Sequence, residues 1–159
     1  MLFNKAKSNK AFTTLEVMIA VVILIIAILG ASAFRYSAAL SARRTDLYTN
    51  SARTALLLCE AWSGKGGAAT FDPVDVFGAD MSISDDVGPD APAQFVALGS
   101  YKIVLQNDNY YVTLSSKNIA ADLRALNVII SWDQTGAGSG EFEDADKSYQ
   151  LTTYVENPN

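Results

Sequence analysis

The chain has 159 residues, room for about one domain, and a formal net charge of −5. One cysteine and no histidine exclude an internal disulfide, CxxC-type zinc sites, His metal ligands and every His-based catalytic triad or general base. The acidic balance argues against a nucleic-acid partner, because a phosphate-binding surface needs a cationic patch.

Hydrophobic residues make up 50% of the chain, an ordinary share with an uneven distribution. Lys5, Lys7 and Lys10 precede a stretch, Val17 to Phe34, that carries no charge at all. As a helix rising 1.5 Å per residue, that stretch is about 27 Å long, close to the ~30 Å hydrocarbon core of a bilayer. One acid, Glu16, stands immediately before it, and every other acidic residue lies beyond it. A carboxylate inside a membrane helix costs about 2.5–3.5 kcal/mol at the centre and less near an end, so its presence calls for a partner.

Nothing in the sequence stops a helix at Phe34. Gly30 is the only glycine between Phe12 and Trp62, and the next proline is Pro73. Leu40, Leu47, Ala55, Leu58 and Trp62 recur at helical spacing, with Arg43, Arg44, Asp46, Asn50 and Arg53 filling much of the remainder. One helix is expected from about Thr13 to Trp62, ended by "SGKGG" at 63–67. That GKGG lacks the spacing of a phosphate-binding loop and follows a helix, so it reads as a helix stop. Cys59 falls on the apolar stripe as a small buried hydrophobe, and Trp62 and Trp132 are expected in the core.

Residues 64–99, with scattered Asp and three prolines, read as a loop-rich connector with a short strand near Asp75–Phe77 or Met81–Ile83. Four strand signals follow: Ser100–Gln106, Tyr110–Ser116, Leu126–Asp133 and Ser148–Glu156. Asn107-Asp108-Asn109 joins the first two as a hairpin link, and "KNIAADLRA" at 117–125 reads as a short helix or an irregular crossover. On alternate positions Val128, Ile130 and Trp132 share a face, as do Tyr149, Leu151, Thr153 and Val155. The expected fold is α+β: a long N-terminal helix whose second half packs on a small antiparallel sheet. The expected divisions are a basic leader (1–11), an apolar helix (12–34), its amphipathic continuation (35–63), the connector (64–99) and the sheet (100–159), the last forming one globular domain with 35–63.

"GEFEDADK" at 140–147 gathers Glu141, Glu143, Asp144 and Asp146, oxygen ligands of the kind Ca²⁺ takes. Their spacing fits no EF-hand, and the surrounding stretch reads as a solvated hairpin loop. No cofactor is expected.

Three readings compete for the N-terminus. A cleaved signal peptide would use the lysines, Val17–Leu29 as its apolar region and Ala31-Ser32-Ala33 as its cut; Glu16 and the unbroken helical pattern beyond the cut count against it. A plain signal anchor explains the lysines but gives Glu16 no role. The third reading rests on "KAFTTLEVMIAVVILIIAILG", which resembles the N-terminus of type IV pilins and of type II secretion pseudopilins. That resemblance implies a cut between Ala11 and Phe12 by a prepilin peptidase, N-methylation of Phe12, and an assembly role for Glu16. The Phe12 ammonium of the same or a neighbouring subunit would be the partner that Glu16 requires. Ala11 stands where the family usually has Gly, "FTTLE" where "FTLIE" is commoner, and Ala33 near where major pilins often have Pro. The C-terminal cysteine pair of many major pilins is absent. With these departures, and with closing strands similar to PilV-like and pseudopilin-I-like proteins, the chain is most like a minor pilin or minor pseudopilin.

By resemblance the partners are the prepilin peptidase, other pilin or pseudopilin subunits, an inner-membrane assembly platform and membrane lipid. The N-terminus would be cytoplasmic and the C-terminal domain outside the cytoplasmic membrane. No enzymatic activity is expected. The alternative reading is a signal-anchored extracytoplasmic binding or hydrolase domain.

Overall fold

The computed structural model describes residues 13–135 and 140–156. The first element is α1, Thr14–Gly64, a helix of 51 residues. It is long because neither proline nor consecutive glycines interrupt it, and it starts where Thr13 caps it. The Thr13 hydroxyl accepts from the Glu16 N–H at 3.3 Å, and the Thr13 carbonyl accepts from the Val17 N–H at 3.2 Å. The end is equally local. Gly66 and Gly67 both take φ +66°, a left-handed conformation open to glycine, and the Gly67 N–H donates to the Trp62 carbonyl at 3.0 Å.

The chain divides into two units, Met1–Arg43 and Arg44–Asn159. In the first, the described residues are those of α1 up to Arg43, and its side chains from Leu15 to Leu29 all face outward, exposed. This stretch is long and apolar enough to cross a membrane.

The second unit holds the rest of α1, a short helix α2 (Pro73–Phe77) and five strands: β1 (Ser82–Asp85), β2 (Val96–Leu105), β3 (Asp108–Asn118), β4 (Leu123–Trp132) and β5 (Lys147–Glu156). They form one antiparallel sheet in chain order, β1-β2-β3-β4-β5. Period-2 alternation places Tyr101, Ile103, Tyr110, Val112, Leu114, Leu126, Val128 and Ile130 on one face. There they form a single core with Leu47, Ala55, Leu58, Cys59 and Trp62 of α1. Trp62 is wholly buried, stacks on Phe71 at 5.9 Å and donates its indole N–H to the Ala68 carbonyl at 2.9 Å. Burial pushes the Cys59 thiol up to about 11, with the Glu60 charge adding to the shift.

Three local expectations are corrected. Asp75–Phe77 is helical, not extended: Pro73 opens α2 and the Asp72 carboxylate accepts from the Val74 N–H at 2.9 Å, a helix start rather than a strand. The strand lies instead at Ser82–Asp85, next to the other candidate, Met81–Ile83. The stretch "KNIAADLRA" is neither helix nor crossover but the end of β3, a tight hairpin turn and the start of β4; Asn118 pairs with Arg124, and the Ile119 N–H donates to the Leu123 carbonyl at 2.9 Å.

The β2–β3 hairpin turns on Gln106 and Asn107, both with positive φ (51° and 74°), closed by the Leu105–Asp108 pair. Positive φ at both central residues marks a type I′ turn, whose twist matches that of the flanking strands.

Gly67 is the tightest point where α1 meets the sheet. A Cβ there would lie 2.8 Å from Val155 Cγ2 and 3.0 Å from Leu126 Cδ2, on top of the φ penalty. Gly67→Ala should therefore cost about 2 kcal/mol, the middle of the usual range for overpacking. Thermal unfolding should show the loss as a Tm several degrees lower; an unchanged Tm would mean that β5 yields freely at this point.

Candidate functional site

Glu16 sits at the third helical position of α1, exposed and followed by apolar side chains. Its backbone N–H binds the Thr13 hydroxyl, so Thr13-Thr14-Leu15-Glu16 is in sequence and in position the Ser/Thr-x-x-Glu start of a helix. An acid in the first turn also meets the positive end of the helix dipole, worth about 0.3–1 kcal/mol. Glu16 thus has a local role that the apolar pattern conceals, although the four-residue spacing from Thr13 is legible in the sequence. Beside it, Val17, Ala20, Val21 and Leu24 line a shallow apolar groove with Glu16 at its end. Ala11 and Phe12 lie outside the described residues.

The second candidate constellation lies on the opposite side of the sheet from α1. There Lys102, Asn109 and Tyr111 converge on one acceptor, the Gly140 carbonyl: Lys102 Nζ at 3.0 Å, Asn109 Nδ2 at 3.4 Å, and the Tyr111 hydroxyl in close contact. The Phe142 ring meets the Tyr111 ring edge-on at 5.6 Å. The loop after β1 reaches the same face. Gly88 passes so near β3 that a Cβ would lie 2.6 Å from Thr113 Oγ1. Two loops far apart in sequence therefore cover one sheet face and bring Asp86 together with Glu141 and Glu143 around Lys102 and Tyr111. Burial, then the charges of Asp86, Asp144, Glu141 and Glu143, hold the Tyr111 hydroxyl above its ordinary value.

Of the four acids singled out as oxygen ligands, Asp146 is otherwise engaged. Its carboxylate accepts from the Gln134 N–H at 2.9 Å and pairs with Lys147 at 3.1 Å, contacts that lower its pKa. Among the described residues no group of three or more His, Cys, Asp or Glu is placed to hold a metal ion. Accordingly, millimolar calcium should leave the thermal unfolding curve where it is; an upward shift of several degrees would show a site that Glu141, Glu143 and Asp144 build only around the ion.

Polar side chains below these loops are buried yet paired. Ser100 and Thr113 share a hydrogen bond at 2.9 Å, and Asn127 accepts from Ser115 at 3.4 Å and donates to Thr152 Oγ1 at 2.7 Å. On the α1 side, the Tyr110 hydroxyl and the Trp132 indole N–H are buried without a hydrogen-bond partner. Asn50 comes near enough to Tyr110 to favour its ionised form slightly, but short of good bonding geometry, so we count the hydroxyl as unsatisfied; burial dominates and raises its pKa.

Comparison with protein-family models, with curated proteins and with solved structures finds no match.

Proposed function

We propose that this chain is a structural subunit, a minor pilin or pseudopilin, that assembles through the apolar part of α1 in or from a membrane. The observation that carries the reading is the continuity of α1. Its exposed apolar stretch and the stripe from Leu47 to Trp62 that closes the core belong to one helix, Thr14–Gly64. A signal peptidase cut at Ala31-Ser32-Ala33 would fall in mid-helix, which disfavours the cleaved-signal reading. The motif at Lys10–Glu16 supplies the finer part, by resemblance: processing after Ala11, methylation of Phe12, and pairing of its ammonium with Glu16. On this reading the chain does no catalysis. Its partners are the peptidase, other subunits, the assembly platform and lipid. Lys5, Lys7 and Lys10 keep the N-terminus cytoplasmic.

Intact mass of the membrane-extracted protein tests this directly. A chain beginning at methylated Phe12 is the expected result. One beginning at Phe34 would end the subunit reading, and one retaining residues 1–11 would favour the anchored binding or hydrolase domain.

A further inference from the structure

The compact unit carries opposite charge on its two faces. On the α1 side Arg44 and Arg53 are exposed, and neither makes an ion pair among the described residues. Arg53 borders a groove of about 330 Å³ between α1 and β5, floored by Ala52, Leu56 and Leu151 and flanked by Tyr48 and Tyr149. Arg44 lies one turn before Tyr48 on the same helix face, at the (i, i+4) spacing. Tyr48 and Leu56 are about half exposed, at 53% and 51%, so the groove is an apolar surface with cations at its rim.

On the other side of the sheet the charge reverses. Glu141 and Glu143 are exposed on either side of the partly buried Phe142, and exposed Asp86 stands beside them. The one lysine among them, Lys102, is spent internally, on the Gly140 carbonyl and over the Tyr111 ring at 5.5 Å. An aromatic between two carboxylates is the complement of an apolar groove rimmed by arginines, whose guanidinium forks bind carboxylates in a fixed geometry.

Such a surface excludes a two-fold contact, which would set arginines on arginines or acids on acids. A front-to-back contact satisfies both faces and leaves one of each free at the ends, so it propagates. We propose that the α1–β5 groove receives the Glu141-Phe142-Glu143 turn of a second copy of this chain, with Phe142 against Tyr48 and Leu56 and the two carboxylates against Arg44 and Arg53. This names the contact between globular parts and rests on the subunit reading for the apposition of copies.

The test uses the full chain in membranes, with copies carrying Arg53→Cys and copies carrying Glu143→Cys produced together and oxidised. The native thiol, Cys59, is buried and silent. A disulfide between the two kinds of copy, at least tenfold above that from either alone, is expected. Dimers formed as readily by one kind alone would overturn the front-to-back arrangement. Leu24→Cys copies report assembly through the apolar helix: a disulfide there with none between Arg53→Cys and Glu143→Cys sinks this docking and leaves the subunit reading standing, whereas none at either place sinks both. Charge reversal adds a second arm, read by a lysine-reactive cross-linker. Arg44→Glu/Arg53→Glu alone, and Glu141→Lys/Glu143→Lys alone, should each lose at least tenfold in cross-linked dimer, and mixing the two should restore it. If mixing restores nothing, the arginines serve another occupant, such as anionic lipid headgroups, and the proposal falls.

Discussion

Glu16→Ala should leave the chain as abundant in the membrane as the wild type and still processed after Ala11, yet absent from assembled material. Each part has a magnitude. Removing the carboxylate relieves an insertion cost of up to about 2.5–3.5 kcal/mol, so anchoring cannot suffer. The helix start loses about 0.3–1 kcal/mol at the dipole, too little to unravel a helix of 51 residues. Assembly stands to lose far more. If a neighbour's Phe12 ammonium depends on Glu16, stripping one charge from a buried pair costs about 3–5 kcal/mol, which is two to nearly four powers of ten in equilibrium.

Glu16→Gln separates the two roles. Glutamine keeps the Ser/Thr-x-x-Glu/Gln start and loses only the charge. On the pairing account Gln assembles poorly, at best between Ala and wild type. Should Gln assemble as wild type while Ala fails, Glu16 acts as a helix start or hydrogen-bond partner and not as a counter-ion. Normal assembly of both variants at wild-type abundance removes any assembly role.

A chain truncated to begin at Phe34 should fold into a soluble monomer with one cooperative transition, and one beginning at Ala68 should aggregate. The longer version keeps Leu47, Ala55, Leu58, Cys59 and Trp62, the residues that α1 contributes to the core. The shorter one uncovers Val112, Leu114, Leu126, Val128 and Ile130, all of them fully buried now. Losing a buried Trp alone typically costs about 3–5 kcal/mol, against a total stability of about 5–15 kcal/mol for a whole domain. The bare sheet would then present a contiguous apolar surface to water, an invitation to self-association. Equal stability of the two versions would show that helix and sheet do not share a core.

The helix and the four long strands are legible in the sequence because each follows one period over many residues. What the pattern hides is the second face of the sheet. Tyr111, Thr113, Ser115 and Asn127 alternate with the apolar core residues and read as solvated, yet all four are buried. They can be buried because they pair with one another or with a loop carbonyl, and because the loops through Gly88 and Gly140 lie over them. Neither loop has a period, so neither announces where it goes. The β2–β3 link reads one position late for a related reason: its turn uses Gln106-Asn107, whereas Asn-Gly and Asp-Gly are the pairs that mark such turns. At Glu16 the miss was of another sort. The helix-start motif stood in plain view from Thr13, and the membrane question drew the eye past it.

Sequence order also governs the timing of synthesis. Trp62 waits for partners that are made much later: Leu126 and Val155 close over Gly67 just beyond it, and β5 is the last strand of the chain. At about 5–20 residues per second, the interval between Trp62 and Val155 lasts roughly 5–20 s. Throughout it the stripe from Leu47 to Trp62 has no sheet to cover it. The nascent chain is therefore a client for whatever shields apolar helices, and its vulnerable window ends only when the final ten residues of strand arrive.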